Sequence, residues 1–459
     1  MLEDNDVKRV LAEALAGGGD LAEIYVEDKS SSSLRLEADR VEDVASGRDA
    51  GAGVRLISGD KASYAYTNLL TTEGLLEAAR SARAGLVGSP GKIADLTRVT
   101  GPTHEVRIDP SSIDAGEKVQ ALQAANDAAR SAGAEVSQVI CSYSDVHQKV
   151  LIANSNGLYA TDDRTRVRFV CYVVASRDGT IATGFEGPGH AGGYELLNQR
   201  PVDELAASAA RKAIVMLDAQ PAPAGEFPVV LAPGAGGVLI HEACGHGLEA
   251  DTLVKQASVY AGRHGERFGS ERITIVDDGT VPGKWGSLGV DDEGTPAQRT
   301  VLFEDGVLVG HISDVQSAAK IQAPPTGNGR RQSYAHLPIV RMTNTNLLPG
   351  PDNHDGIISS IRNGVYAASF AGGQVNPATG NFVFGMSEAY MIIDGEIAHP
   401  IKGANLIGNG PEVLARIEAI AGDYDSWDGV CGKDGQHAPV TTGMATVLLG
   451  KMTVGGTQT

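Results

Sequence analysis

An α+β fold is predicted for this chain, with two α+β units in the N-terminal region followed by a largely antiparallel β C-terminal domain. Three observations carry that reading. Segments of helical spacing alternate with segments of period-2 spacing up to about residue 219, and from Glu226 onward the texture changes to short β-segments between glycines. The composition, with 58 Gly and 5% aromatic residues, favours many tight turns and packing by Val, Ile and Ala. A length of 459 residues exceeds one ordinary core.

Val7, Val10, Leu11, Ala14 and Leu15 give helical spacing over Asp6–Leu15, and Gly17–Gly19 end that helix. Alternation predicts a short antiparallel meander at Leu21–Glu27, Leu34–Leu36, Val41–Ala45, Gly53–Ile57 and Ala62–Thr67, with Ser58-Gly59-Asp60 as a turn. Thr72 is placed as the cap of a helix carrying Leu75, Leu76, Ala79, Ala82 and Leu86. Residues 1–86 form the first unit, and the Gly-, Pro- and Ser-rich stretch Gly88–Thr103 reads as a linker.

The second unit, 104–219, is predicted to hold a helix at Ser112–Ala132 and strands at Val136–Tyr143 and Gln148–Ala153. A hairpin at Asn156-Gly157 and a strand at Arg166–Ala175, with Val167, Phe169, Cys171 and Val173 on one face, come next. A helix at Val202–Leu217 closes the unit. The third, 225–459, opens with a buried strand at Phe227–Leu231, a Gly-rich turn and one helix. It continues as short strands such as Ile273–Val276, Thr300–Phe303, Val307–Ile312, Phe382–Phe384 and Ala389–Ile393, with Asp305-Gly306 and Asp394-Gly395 as hairpin turns.

A net charge of −19, spread without long blocks, repels phosphate backbones and argues against a nucleic-acid partner. The first ten residues lack a basic region followed by an apolar run, so no signal peptide is expected, and no stretch reaches the ~18 apolar residues of a membrane helix. The expected location is cytoplasmic and reducing. There the four cysteines, Cys141, Cys171, Cys244 and Cys431, stay available as thiols.

The stretch from Val238 to Asp251 carries His241-Glu242-Ala-Cys-Gly-His246, the zinc-peptidase pattern H-E-x-x-H with one extra residue. At 100° per residue, positions five apart lie about 140° from alignment on an α-helix, against about 40° for positions four apart. A single π-bulge absorbs one residue and restores a shared face, with Gly245 as the flexible point. Two His and a Glu so close also occur by chance, so spacing alone decides little. A hydrolytic zinc site needs three protein ligands and an open position. Glu249 and Asp251 are nearby options for the third ligand, and Cys431, between glycines and beside Lys433 in what reads as a mobile, locally positive loop, is another. Cys141 and Cys171 read as inert core residues and Cys244 as a packing residue.

Taken together, the motif through Asp251, the stretch Cys431-Gly-Lys-Asp-Gly-Gln436, the blocks Gly327–Arg331 to Arg341–Thr345 and Gly373–Pro377 to Phe382–Phe384, and the N-terminal Gly51–Arg55 with Asp60–Asn68 closely resemble the TldD branch of the TldD/PmbA metallopeptidases. The resemblance spans nearly the whole chain. It implies a zinc peptidase with His241, His246 and Cys431 on the metal and Glu242 as general base. It further implies extended or unfolded peptide substrates, including leader peptides, and a dimer, either with a second copy or with a PmbA/TldE-like sister subunit. The sister branch lacks the H-E-x-x-x-H that this chain keeps.

Strand addition is one way to hold such peptides, with Gly372-Gly373 and Gly403-Ala404-Asn405 as candidate edges that also read as plain turns. Arg330 and Arg331 are candidates for gripping a peptide carboxylate or for ion pairing, and His437 for an oxyanion. Gly234–Gly237 lacks a phosphate-loop pattern and reads as a strand-to-helix turn. The competing readings are a non-catalytic, metal-stabilised regulatory or partner subunit and a small-molecule amidase. A three-ligand set beside a base argues against the first, because structural sites have four protein ligands.

Overall fold

A computed structural model describes residues 2–86 and 91–457. It is α+β, and the C-terminal half is largely β. The chain opens with helix α1 (Asp4–Leu15), then strands β1 (Leu21–Glu37), β2 (Arg40–Ser58) and β3 (Lys61–Thr67) and helix α2 (Thr72–Ala84). The cap of α2 is Thr71 rather than Thr72: its hydroxyl accepts from the Gly74 N–H at 3.2 Å. The expected short strands are fused into long ones. Ser30–Ser33 breaks the alternation, yet it continues β1 because β1 is paired on both sides, so that Ser30 faces Arg48 on one neighbour and His147 on the other. Pairing overrides the weak β-preference of serine.

Part of the Gly88–Thr103 linker lies outside the described residues; within them, β4 (Thr97–Val99) runs parallel to Leu158–Ala160. Helix α3 (Ala115–Ser131) starts later than the expected Ser112, because the Asp114 carboxylate accepts from the Gly116 N–H at 2.7 Å and caps it there. Strands β5 (Val136–Asn154) and β6 (Leu158–Arg177) are joined by the Asn156-Gly157 turn, where Gly157 takes φ +94°. The resulting sheet has the order β3-β2-β1-β5-β6-β4, so strands from both N-terminal stretches lie side by side. Helices α1 and α2 cover one region of it, and α3 with the helix Val202–Leu217 covers another, over Val167, Phe169, Cys171 and Val173.

In the C-terminal half, Gly225–Leu231, Val447–Gly455, Asn405–Asn409, Asn381–Ile393 and Asn363–Val375 pair in that order, and the last returns to the first, closing a ring. A second sheet runs in the order Val307–Leu308, Arg299–Glu304, Ile275–Asp278, Asn344–Leu347, Gln436–Met444 and Asp425–Lys433. Val307–Ile312 is therefore a strand only as far as Leu308. Asp305-Gly306 and Asp394-Gly395 turn as expected, each with both residues at positive φ. The motif helix lies in the largest core, where Leu239, Ile240, Cys244 and Leu248 are buried with Ile275, Leu347 and Phe384. Among the described residues, no helix is long and apolar enough to cross a membrane.

Candidate metal centre

A tight turn leads from the strand Gly225–Leu231 into the motif helix. Gly234 takes φ +73° there, and a Cβ on Gly237 would come within 2.7 Å of the Gly443 nitrogen, so the glycines serve close approach rather than phosphate. After one α-turn, Gly237–Ile240, the backbone widens into a π-turn over His241–Gly245, and the His246 N–H donates to the His241 carbonyl five residues back. The Tyr260 hydroxyl donates to the Ala243 carbonyl at 2.8 Å and satisfies one oxygen of the widened turn. The bulge inferred from the H-E-x-x-x-H spacing is thus present, but Gly245 has a different role from the one expected. Its φ of −55° is ordinary helix; what it supplies is space, since a Cβ would lie 1.9 Å from the Met342 sulfur.

Gly245→Ala is therefore expected to destabilise the fold, although Ala favours helix over Gly by about 1 kcal/mol. Overpacking against buried Met342 costs about 1–3 kcal/mol and outweighs that gain. Denaturant unfolding of Gly245→Ala, Met342→Ala and the double variant checks this: the double should lose less stability than the sum of the singles.

The π-turn brings the two imidazoles together, with ring centroids 5.1 Å apart. Cys431 meets them from the strand Asp425–Lys433, and its Sγ lies 3.3 Å from each Nε2. This corrects the reading of its surroundings as a mobile loop: Cys431 is buried in a paired strand, and the positive charge of Lys433 is taken up by Glu249 at 3.0 Å and Asp251 at 2.8 Å. The hairpin is fixed from below by buried Arg341, which donates to the carbonyls of Cys431 and Gln436. Ligand atoms of His241, His246 and Cys431 all fall within 4.8 Å of one another, the one such donor group among the described residues. Metal bonds of about 2.0–2.1 Å to nitrogen and 2.3 Å to sulfur at a tetrahedral centre place N and S about 3.5 Å apart, so this donor set fits an ion of zinc's size and softness.

Burial opposes ionisation of Cys431, but the neighbouring His241 and His246 outweigh it and lower the thiol from 9.0 to about 4. His246 is buried too, yet Glu249 and Cys431 hold its pKa well above the usual imidazole value. In protein stripped of metal, the ultraviolet thiolate absorbance should carry a step near pH 4 that Cys431→Ser abolishes. Because the folded value lies below the unfolded one, the thiolate stabilises the metal-free fold fully only above the unfolded thiol pKa. That contribution disappears as pH falls through about 4.

The Glu242 side chain is one-fifth exposed and faces a cleft of about 660 Å³, with Oε2 3.8 Å from His246 Nε2. Two strands flank this cleft: Asp425–Lys433, the last strand of its sheet, and Asn363–Val375, through Phe370 and Gly372–Val375. Gly372-Gly373 lines the cleft, and Gly403-Ala404-Asn405 does not. Arg330 and Arg331 do not line it either. Both are buried: Arg331 pairs with Glu23 at 2.7 Å, and Arg330 donates to the Met342 carbonyl at 2.6 Å. His437 lies across the hairpin from Gly432, one position off Ala438, which faces Cys431, and so points to the other face. Glu249 sits behind His246, with its carboxylate 3.1 Å from Nδ1, and Asp251 binds Lys433, so neither joins the donor group. Cys244 is buried against Tyr260, away from that group, and Cys141 faces Cys171 across two strands with sulfurs 3.7 Å apart. Trp427 and Phe370 also line the cleft, and no spacing in the sequence ties them to His241.

Three family models match in order along the chain: PmbA/TldA metallopeptidase domain 1 at 22–85, the central domain at 108–217 and the C-terminal domain at 224–456. A protein of Haemophilus influenzae named metalloprotease TldD homolog is 39% identical over 449 residues, covering 95% of this chain and 93% of that protein. A Buchnera aphidicola protein of the same name is 37% identical, covering 99% and 97%. The crystal structure of TldE from Thermococcus kodakarensis superposes with a TM-score of 0.77 at 20% identity, covering 97% of this chain and all of that one, a likeness of fold.

Proposed function

The chain belongs to the PmbA/TldD metallopeptidase family, in its TldD branch, and from that premise we propose that it is a zinc peptidase cutting extended peptides, with the ion held by His241, His246 and Cys431. The observation that carries the assignment is the meeting of two Nε2 atoms and one cysteine sulfur beside the Glu242 carboxylate and an open cleft. When bound, zinc supplies a Lewis acid for a peptide carbonyl and lowers the pKa of a water molecule. The Glu242 carboxylate, facing the cleft beside this donor group, would accept a proton from the attacking water and return it to the departing amine. His246, which donates from Nδ1 to Glu249, keeps its Nε2 lone pair for the ion. Cys431, as a thiolate, would donate more charge to the ion than a third imidazole, so a base at the position of Glu242 would matter more.

An extended substrate suits the cleft because the strand Asp425–Lys433 ends its sheet and lines the cleft, so a peptide can add to it through backbone hydrogen bonds. Such binding reads backbone more than side chain and accommodates varied sequences, leader peptides among them. We further propose that the chain works as a dimer, either with a TldE-like sister subunit or with a second copy. The test combines metal analysis of the purified chain with cleavage of an unstructured peptide, alone and with a TldE-like partner, before and after chelation. Roughly one zinc per chain, with cleavage lost on chelation and restored by zinc, supports the reading. Cleavage indifferent to chelation overturns it. A metal-loaded chain that never cleaves, with or without the partner, favours the non-catalytic subunit.

A further inference from the structure

The donor group is gripped from behind by charges that do not belong to it. Glu249 is 1% exposed, and its Oε2 stands between His246 Nδ1 at 3.1 Å and Lys433 Nζ at 3.0 Å. Lys433 reaches on to Asp251 at 2.8 Å and to the Val340 carbonyl at 3.2 Å. Lys433 lies two positions after Cys431 in one strand, so both side chains leave the same face. The contacts close a loop. It runs from Cys431 to His246 through 3.3 Å, from His246 to Glu249, from Glu249 to Lys433, and back along two residues of backbone to Cys431.

We propose that Glu249 and Lys433 are positioning residues for the metal: a buried clasp that fixes the ring of His246 and locks the strand of Cys431 against the helix of His241 and His246. A solvated ion pair would contribute little, but this one is enclosed, with the Lys433 side chain only 12% exposed. Glu249 accepts from Nδ1–H and so dictates which ring nitrogen carries the proton, whereas the buried Nδ1 of His241 has no hydrogen-bond partner among the described residues. Lys433 neutralises Glu249 and, through Asp251, ties the same strand to the next helix, Ala250–Val254. The three donors are then already gathered before an ion arrives, which lowers the cost of binding it.

This inference rests on the ligand set proposed above, and the experiment separates the two. Zinc affinity of the full-length, metal-stripped protein is measured by competition with a chromophoric chelator, and the visible spectrum of the cobalt(II)-loaded protein is recorded in parallel. Lys433→Met and Glu249→Gln should each weaken zinc about 10–100-fold and alter the cobalt bands, while Lys433→Arg should recover much of the affinity. Wild-type affinity and spectrum in both Lys433→Met and Glu249→Gln would overturn the clasp. Cys431→Ser is the control for the ligand set: if it binds zinc like wild type, the ligand assignment fails instead. Circular dichroism reports folding, and should Lys433→Met not fold, the near-isosteric Glu249→Gln and the Arg rescue decide the matter on the same two readouts.

Discussion

Glu242→Gln is expected to keep its zinc and lose peptide cleavage by about 10²–10⁴-fold, the share of a rate that a positioned acid–base group supplies. The substitution conserves size and removes only the capacity to accept a proton. Glu242 stands outside the donor group, with its Oε2 3.8 Å from His246 Nε2, so metal content should not change. Its side chain is one-fifth exposed to the cleft, so the amide needs no buried partner and the fold should be unaffected. Steady-state cleavage together with metal analysis of one preparation checks both halves. Near-wild-type turnover in the zinc-loaded variant would remove Glu242 from the mechanism.

Cys431→Ser should act one step earlier and abolish both metal retention and activity. A hydroxyl has neither the softness nor, near neutral pH, the negative charge of the thiolate, which in the metal-free protein persists down to about pH 4. Two imidazoles then remain where a hydrolytic site needs three ligands. The loss of affinity should exceed the roughly 10–100-fold that removal of an outer partner costs. The strand should survive, because Cys431 holds its place in the hairpin through backbone pairing with Ala438 and through the Arg341 contact to its carbonyl. Equilibrium dialysis against zinc and a thermal melt of the metal-free protein distinguish a lost ligand from a lost fold.

The fold class was legible because periodicity is local. The helix Val202–Leu217 and the turns at Asn156-Gly157, Asp305-Gly306 and Asp394-Gly395 stand where spacing and turn chemistry put them. Strand length was not legible: Ser30–Ser33 and Ser46–Asp49 lack alternation, and pairing with Arg48 and His147 on the neighbouring strands keeps Ser30 in a strand. In the candidate site, the widened turn followed from the five-residue interval between the histidines, since a regular helix cannot align them. The reason for Gly245 did not follow, because it depends on Met342, nearly a hundred positions later. Lys433 was visible as a charge near Cys431, but its partner Glu249 comes from another element, so an apparent local field is an ion pair. For Arg330 and Arg331 the local sequence left substrate grip and ion pairing equally open for the same reason; Glu23, in the first strand, takes up Arg331 in an ion pair.

The interval of 190 positions between His241 and Cys431 sets a schedule for the making of this molecule. Synthesis delivers the chain from its N-terminus, and the helix with both histidines leaves the ribosome long before the hairpin that carries the sulfur. Under the proposed ligand set, no ion can be held by all three donors until the hairpin of Cys431 has emerged and docked. On that proposal, a copy whose synthesis has not yet passed Cys431 lacks its third donor and stays inactive however well its earlier part has folded.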